Sequence, residues 1–346
     1  MAEKYIVIAD KLELELKKMR SEGISALPSE QRLAETFSCS RQTVRAALDV
    51  LQQKGLIEKR KGSGSYITGE YLKNKTVFFI TEDCDRYQCP ALISGLRSEL
   101  AKSKYELKVF STSGDLKEEA GYLDMVLNER PAVLIIEPLR DLVPGPNDRL
   151  IKEISDHGIP VICCNSANGF EGSVNVAPAF YQGGRTLTEH LLEDGRTKIA
   201  CILRMDNSSG MQCYKGHIDA LIDRGLAFDD RLELLLTYRE EKDILTGNDM
   251  RLSKFIDEVL PVCDAVICQN GMTADILTKE LIKRGCDIPR DIEVACFDSS
   301  YYSDSNTPVV SLGYDNDLFC RTLAKTAAAS AEGKTVRNAV IPMKIT

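Results

Sequence analysis

The stretch "SCSRQTVRAALDVL", residues 38–51, decides how the N-terminal part of the chain folds. Arg41 and Arg45 lie one helical turn apart on the charged face of the helix that it predicts. Such a face is either only solvated or binds an anionic partner, and the flanking segments decide between the two. The opposite, apolar face has side chains at helical spacing: Val44, Ala47, Leu48 and Leu51.

Two more helices and a basic hairpin flank this stretch. Apolar spacing predicts a first helix over Tyr5–Arg20, and Ser29 in "LPSEQRLAETF" is a suitable N-cap for a second. Ser40 is a suitable N-cap for the third helix, which the opening stretch forms. Residues 56–67, "LIEKRKGSGSYI", contain two short runs around glycines, which predicts a hairpin with Lys59 to Lys61 at its tip.

Two helices joined by a tight turn and followed by a basic hairpin make a winged helix-turn-helix, whose exposed helix start enters the major groove of DNA. Arginine can contact guanine edges or phosphates there, and glutamine can contact adenine, so Gln42 and Thr43 join the two arginines as candidates. A face that is only solvated is the simpler alternative, but the basic hairpin disfavours it. We therefore expect double-stranded operator DNA as a partner.

The charge distribution restricts where DNA can bind. The formal net charge is −8, but residues 1–70 hold twelve Lys and Arg against ten Asp and Glu, whereas the remainder holds 32 against 42. The acidic remainder would repel a polyanion, so a nucleic-acid contact has to lie in the N-terminal segment. A chain of 346 residues exceeds the usual size of one hydrophobic core, so two or three domains are expected.

The N-terminus predicts neither a signal peptide nor a membrane span, because its first twenty residues hold an apolar run of only four residues, 6–9. We expect a cytoplasmic protein with no membrane contact and with its twelve cysteines reduced. No C-x-x-C pair occurs, and Cys84 and Cys89 are five positions apart in a chain with only three histidines. We therefore expect neither a metal site nor a cofactor.

Residues 27–67, "LPSEQRLAETFSCSRQTVRAALDVLQQKGLIEKRKGSGSYI", resemble the GntR-type DNA-binding domain, and the resemblance covers nearly all of residues 4–69. It implies that the residue after LPSE, the SR and TVR motifs and the wing glycines approach DNA. A basic residue is common in the family where this chain has Gln31, so that contact is expected to be weaker or rearranged. With their neighbours, the candidate DNA-binding residues are Gln31, Arg32, Arg41, Gln42, Thr43, Arg45, Lys61, Gly62 and Gly64.

Residues 70–75, "EYLKNK", are short and polar and predict a linker between a domain of residues 1–69 and a second of residues 76–346. The second domain alternates amphipathic helices with runs that are apolar on both faces, which is typical of buried parallel strands. It is too long for one small sheet, so we expect two doubly wound lobes with a ligand cleft beyond the carboxyl ends of the strands. The runs are "TVFFIT", "AVLIIE", "IPVICC", "KIACIL", "DAVICQ" and "IEVACF", and the helices are predicted at Pro90–Ser103, Leu116–Glu129, Phe180–Glu193, Met211–Arg224 and Met272–Arg284.

Motifs of catalysis are absent from the sequence. "EGKT", residues 332–335, lacks the first glycine of a phosphate-binding loop, because Ala328 stands there, and "GSGSYI" lacks the third glycine of a dinucleotide fingerprint. No G-x-S-x-G elbow occurs, and the three histidines lie on or at the ends of predicted helices. We therefore expect no catalytic residue.

Polar residues instead follow the predicted strands, as a ligand rich in hydroxyl groups requires. Capping of the next helix is the competing role for such residues. For Glu82 and Asp206 the two roles are equally good explanations, whereas for Glu137, Asn270 and Asp298 capping is the weaker one.

The second domain resembles the sugar-sensing domain of LacI/GalR repressors, which is itself similar to periplasmic sugar-binding proteins. The motifs that carry this resemblance include "YQGGRTLTEHLL", "CQNG" and "CFDSS". A GntR-type head joined to this domain is the arrangement of the arabinose-repressor family of bacilli, which the whole chain resembles down to "IIEP". The resemblance implies a homodimer formed by the sensing domain, around the helix of Ala91–Ala101.

The resemblance also implies where a sugar binds, but several positions depart from it. Glu137, Asn270 and Asp298 match sugar-binding positions, whereas Cys213 replaces an arginine, Ala177 or Pro178 an aspartate, and Gly271 an acidic residue. The loss of charge-assisted hydrogen bonds suggests a sugar other than L-arabinose. The candidate effector-binding residues are Glu137, Asn165, Arg204, Cys213, Asn270, Asp298 and Tyr314.

Two functions remain open. The favoured one is a ligand-responsive DNA-binding transcriptional regulator, a repressor of carbohydrate-utilisation genes that a small sugar releases from its operator. The alternative is a sugar-processing α/β enzyme that carries a DNA-binding head, and the missing catalytic motifs count against it. The fold expected for both is an N-terminal winged helix-turn-helix followed by a two-lobed, periplasmic-binding-protein-like domain with doubly wound parallel sheets.

Overall fold

The computed structural model describes residues 4–21, 24–60, 62–68, 74–86, 88–227, 229–248, 250–259, 261–298 and 308–346. Lys61 and residues 70–73 of the predicted linker lie outside this set. The chain forms two compact units: residues 1–75 with 125–132, and residues 76–124 with 133–346. No helix within the described ranges is long and apolar enough to cross a membrane.

The first unit contains the predicted helices and hairpin. One apolar core, which includes Leu12, Leu33, Leu48 and Ile57, joins all of its helices to the hairpin. The three-helix and hairpin prediction is therefore correct, with bounds that differ by a residue or two. The elements are α1 (Lys4–Ser21), α2 (Glu30–Thr36), α3 (Arg41–Gln53), β1 (Ile57–Arg60) and β2 (Gly64–Ile67).

The first sheet of the second unit has the strand order β13-β7-β6-β5-β3-β4, and adjacent strands pair in parallel. Its central strands are buried on both faces, as the apolar runs of the sequence require. Together with the packed helices this sheet forms the first lobe. Its elements are β3 (Thr76–Thr81), α4 (Cys89–Lys102), β4 (Glu106–Ser111), α5 (Leu116–Glu129), β5 (Val133–Ile136), α6 (Asp148–Asp156), β6 (Val161–Cys164), β7 (Val174–Pro178), α12 (Asn316–Ala331) and β13 (Ala339–Ile341).

The second sheet has the order β14-β12-β11-β10-β8-β9 and is parallel except for its edge strand β14. Two apolar clusters pack on it, and they include the helix residues Leu187 and Leu277. This sheet and its helices form the second lobe. Its elements are α7 (Phe180–Glu193), β8 (Ile199–Arg204), α8 (Ser208–Asp223), β9 (Glu233–Leu236), α9 (Tyr238–Leu245), α10 (Met250–Val259), β10 (Ala265–Cys268), α11 (Gly271–Lys283), β11 (Glu293–Phe297), β12 (Val310–Tyr314) and β14 (Met343–Ile345).

The described chain crosses between the lobes near residues 178–180, 314–316 and 341–343. Because the strands of each sheet run in parallel, their carboxyl ends and the loops that follow them gather at one edge of each lobe. The two-lobed, doubly wound prediction is therefore correct. All six strands quoted from the sequence form. The five helices predicted in this domain also form, and α8 begins at Ser208, three residues earlier than predicted.

Candidate functional site

The start of α3 is exposed and held by its N-cap. Ser40 Oγ accepts a hydrogen bond from the backbone amide of Thr43 at 3.1 Å and lies 2.8 Å from the Thr43 hydroxyl oxygen. Arg41 donates to the side-chain carbonyl oxygen of Gln31, and the side-chain amide nitrogen of Gln31 donates to Glu35 at 3.3 Å. Gln31 on α2 and Arg41 on α3 therefore form one polar surface.

Arg45 on the same face is engaged by α2. Its guanidinium makes a two-point ion pair with the Glu30 carboxylate, at 2.8 and 3.2 Å. The hydrogen bond from Arg45 lowers the pKa of Glu30 below its ordinary value. The Arg45 side chain is still 63% exposed, so a phosphate or a base edge can reach the guanidinium group and compete with Glu30 for it.

The wing is a short antiparallel hairpin whose turn depends on glycine. Gly62 has φ = 77° and Gly64 has φ = 114°, conformations that cost little only without a side chain. The guanidinium carbon of Arg60 lies 4.5 Å from the centre of the Tyr66 ring. Lys59 does not lie at the tip as the sequence suggested, because it pairs with Asp49 of α3 at 2.5 Å. Lys61, which the sequence predicts at the tip, falls outside the described residues.

The carboxyl ends of strands from both lobes surround a cavity of about 190 Å³. Polar side chains come from both lobes, and Phe180, Phe297 and Leu312 provide apolar walls. The cavity can therefore hold a ligand that has polar edges and an apolar face. All seven candidate effector-binding residues line it: Glu137, Asn165, Arg204, Cys213, Asn270, Asp298 and Tyr314.

On the first-lobe side, Glu137 is the central acceptor. One of its carboxylate oxygens accepts from Thr81 Oγ1 at 2.5 Å and the other from the Asn165 amide at 3.2 Å. Asn165 has a left-handed backbone with φ = 53°, as does Asp298 in the second lobe with φ = 64°. Both residues follow the ends of buried strands, and asparagine and aspartate tolerate this conformation better than most residues.

Asn270 has a different role from the one expected. Its side-chain oxygen caps α11 by accepting from the Thr273 amide at 3.0 Å, and its amide donates to Glu241 at 2.7 Å. Capping was the weaker explanation from sequence, and the structure corrects this. The residue still lines the cavity, because the hydrogen bond to Glu241 orients both side chains at its wall.

Arg204 links the two lobes. Its guanidinium donates to both oxygens of Glu82, at 2.6 and 3.1 Å, and to Asp206 at 2.9 Å. Burial raises the pKa of Glu82 to about 7, against the opposing pull of Arg204. Burial also works to lower the pKa of Arg204, but the facing carboxylates, Glu82 and Glu241, outweigh it and hold that pKa well above its ordinary value. For Glu82 the structure therefore favours an ion pair over a helix cap.

Sequence reasoning missed polar residues of the cavity that do not follow a predicted strand. Tyr238 and Glu241 lie three residues apart on α9, and the ring of Tyr238 packs against Gly114 of the first lobe, where a Cβ atom would overlap it. Arg86 and Gln88 come from the loop before α4. Only the fold brings these residues to the cavity, and no local motif marks them.

Cys213 and Tyr314 are the apolar members of the predicted set. Burial raises the pKa of both side chains above their ordinary values, so neither is ionised at neutral pH. The Tyr314 ring meets Phe319 edge-on, with ring centres 5.3 Å apart. A thiol at position 213 cannot make the charge-assisted hydrogen bonds that the family's arginine makes.

A cluster of residues that could ligate a metal ion lies outside the cavity. His190, Asp194 and Glu293 have ligand atoms within 4.8 Å of one another. Arg196 donates to Glu293 at 3.0 Å, and this cation occupies the carboxylate that a metal would need. His190 lies in the last turn of α7.

Comparison with protein families matches both parts of the chain. The model of bacterial regulatory proteins of the gntR family matches residues 4–67. The model of periplasmic binding proteins and the sugar-binding domain of the LacI family matches residues 74–305, about two thirds of the chain. Both resemblances that the motifs carry are confirmed.

Similar proteins include two that are called arabinose metabolism transcriptional repressors. The protein of Halalkalibacterium halodurans is 26% identical over 80% of this chain and 75% of its own length. The protein of Geobacillus stearothermophilus is 28% identical over 79% and 75%. A periplasmic binding protein/LacI transcriptional regulator of Alkaliphilus metalliredigens, solved with D-xylulofuranose, shares the fold with a TM-score of 0.68, at 19% identity over 79% of this chain and 97% of its own.

Proposed function

Because the chain belongs to the periplasmic binding proteins and sugar-binding domains of the LacI family and carries a gntR-type head, we propose that it is a repressor of carbohydrate-utilisation genes that a small sugar releases from operator DNA. One observation carries the proposal. Seven residues chosen from strand ends and motifs, which lie far apart in the sequence, line a single cavity between the two lobes.

The head is the part that binds DNA in this proposal. The start of α3 enters the major groove, where Arg41, Gln42 and Thr43 face the bases, and Arg45 leaves Glu30 for a phosphate or a guanine. Gln31 and Arg32 on α2, and Lys61, Gly62 and Gly64 of the wing, contact the backbone on either side. The exposure of Arg45 and the N-cap that holds Thr43 support this assignment.

The cavity is the part that binds the effector. The cavity volume of about 190 Å³ is far above the roughly 10–15 Å³ that a single water needs, so it can hold a monosaccharide. Relatives named for arabinose metabolism and a neighbour that holds D-xylulofuranose support a pentose. Cys213 stands where the family has arginine, so we propose that the preferred sugar is not L-arabinose.

Domain boundaries, oligomeric state, cellular location and the absence of enzymatic activity complete the proposal. Residues 1–69 are the DNA-binding domain, 70–75 the linker and 76–346 the effector domain, which also forms a homodimer near α4. A dimer presents two heads to half-sites related by two-fold symmetry, which gives specificity that one winged module lacks. Because its target is DNA, the protein acts in the cytoplasm. The matched relatives are transcriptional repressors, so we propose no enzymatic activity.

Fluorescence anisotropy with DNA from the region upstream of the protein's own gene tests the proposal. The protein should bind this DNA, and one pentose or hexose of a panel should raise the apparent Kd. Binding should weaken steeply as salt rises, because phosphate contacts release counterions. The proposal is contradicted if the protein does not bind this DNA at low salt. It is also contradicted if the protein chemically converts a sugar of the panel, a result that would favour the alternative of a sugar-processing enzyme.

A further inference from the structure

Three polar side-chain atoms of residues that line the cavity differ from those of Glu137 and Asn270 in their hydrogen bonding. Glu137 accepts from Thr81 and Asn165, and Asn270 bonds to Glu241 and to the Thr273 backbone amide. In contrast, Arg86 Nη1, Gln88 Oε1 and Tyr238 Oη are buried and have no hydrogen-bond partner among the described residues. All three residues line the cavity. A buried polar atom without a partner costs free energy, so such atoms are retained where something else pairs with them.

The three residues come from both lobes. Arg86 and Gln88 lie in the first lobe, on the loop between β3 and α4, whereas Tyr238 is the first residue of α9 in the second lobe. The guanidinium carbon of Arg86 lies 6.0 Å from the centre of the Tyr238 ring. Tyr238 is only 7% exposed. A group bound by these residues therefore touches both lobes at once.

The chemistry of the three atoms selects a hydroxyl group. The Arg86 nitrogen can only donate, the Gln88 oxygen can only accept and the Tyr238 hydroxyl can do both, so a partner must also donate and accept. An ionised phosphate or carboxylate offers acceptors alone.

Charge also disfavours an anion in this cavity. Asp83 already pairs with Arg86 at 2.8 Å. The carboxylates of Glu82, Asp83, Glu137, Glu241 and Asp298 line the cavity against two guanidinium groups, those of Arg86 and Arg204.

We propose that Arg86, Gln88 and Tyr238 form a bridging subsite that binds hydroxyl groups of the sugar between the lobes and makes the cavity selective for an uncharged sugar over its phosphate. The inference rests on the proposed function and deepens it. The bridging subsite ties ligand binding to the relative position of the lobes, because its residues come from both lobes.

Tyr238→Phe tests the bridging subsite with two readouts of opposite sense. The variant removes a hydroxyl without a partner, so the thermal midpoint of the ligand-free protein should stay the same or rise. Calorimetric titration with the sugar that wild type binds best, from L-arabinose, D-xylose, D-ribose, D-xylulose and D-galactose, should show affinity weakened by roughly 3- to 20-fold. Arg86→Met should weaken binding of the same sugar in the same direction.

Tyr214→Phe is the matched control. The Tyr214 hydroxyl donates to Glu233 at 2.6 Å and the residue does not line the cavity, so this variant should lose stability and keep its sugar affinity. The inference is overturned if Tyr238→Phe binds the sugar within twofold of wild type, or if it destabilises the ligand-free protein as Tyr214→Phe does. It is also overturned if D-ribose 5-phosphate binds more tightly than D-ribose. Wild type that binds no sugar of the panel refutes the proposed function instead, and the bridging subsite with it.

Discussion

Raising the pH from 5 to 8 should destabilise the effector domain through one buried carboxyl group, that of Glu82. Its pKa rises from 4.5 to about 7 in the folded protein, because burial, helped by the neighbouring carboxylates of Glu137 and Glu241, outweighs the opposing effect of Arg204. The folded state therefore holds the Glu82 proton more tightly than the unfolded state. The stabilisation from this proton is complete below pH 4.5 and is lost as the pH rises through 7.

The size of the effect follows from the same pKa values. One pKa unit corresponds to about 1.4 kcal/mol, so the rise from 4.5 to about 7 is worth about 3 kcal/mol. Glu82→Gln keeps a neutral side chain at every pH and lacks this dependence. Relative to the variant, wild type should lose most of those 3 kcal/mol between pH 5 and pH 8.

Urea unfolding followed by circular dichroism measures this difference, since the chain contains no tryptophan. Glu280→Gln is the control, because Lys283 lowers the pKa of Glu280 and the carboxyl stays ionised at both pH values. Its difference from wild type should not change with pH. The reasoning is refuted if wild type gains stability over Glu82→Gln as the pH rises, since the ion pair with Arg204 would then outweigh burial.

Three further substitutions test the head and the packing of the second lobe. Leu48→Ala, at a fully buried position, should cost the head about 2 to 5 kcal/mol in thermal unfolding and weaken DNA binding while sugar affinity is kept; a matched loss of sugar affinity would contradict this. Gly216→Ala should lower the thermal midpoint strongly, because its Cβ would overlap the Tyr181 backbone, whereas Gly121→Ala, in open space, should not; equal effects would refute this packing. Arg45→Ala should weaken operator binding and reduce its salt slope by about one, and an unchanged slope would exclude a phosphate contact.

Six of the central strands and the starts of α2 and α3 could be predicted from sequence, because their signals are local, whereas the interior strands β7 and β12 were not predicted. "TVFFIT" and "DAVICQ" are apolar on both faces and form β3 and β10, and Ser29 and Ser40 cap the helices that they precede. The edge strand β4 was missed because exposed residues interrupt its apolar pattern, and the edge strand β9 was missed because it has only four residues and begins with a glutamate. The edge strands β13 and β14, of three residues each, are too short for any periodicity.

The residues that line the cavity could be predicted only in part, because no local sequence signal marks some of them. Glu137 and Asp298 directly follow buried strands, so their position at a ligand cleft follows from the topology of parallel sheets. Tyr238 and Arg86 face the cavity through contacts between the lobes, which no local pattern records. Asn270 showed a second difficulty, because one amide side chain can cap a helix with its oxygen and line a cavity with its nitrogen.

The coupling between sugar and DNA tests the central claim most directly. Sugar affinity should be measured by calorimetry for wild type alone and in the presence of saturating operator DNA, and operator affinity with and without saturating sugar. If the binding of sugar and the binding of DNA are coupled, each ligand must weaken the affinity of the protein for the other by the same factor, about 5- to 150-fold. Asp298→Ala should bind the operator as wild type does and lose the response to sugar. A sugar that binds wild type and leaves operator affinity unchanged, or an Asp298→Ala protein that still releases DNA at the same sugar concentration, would contradict the account.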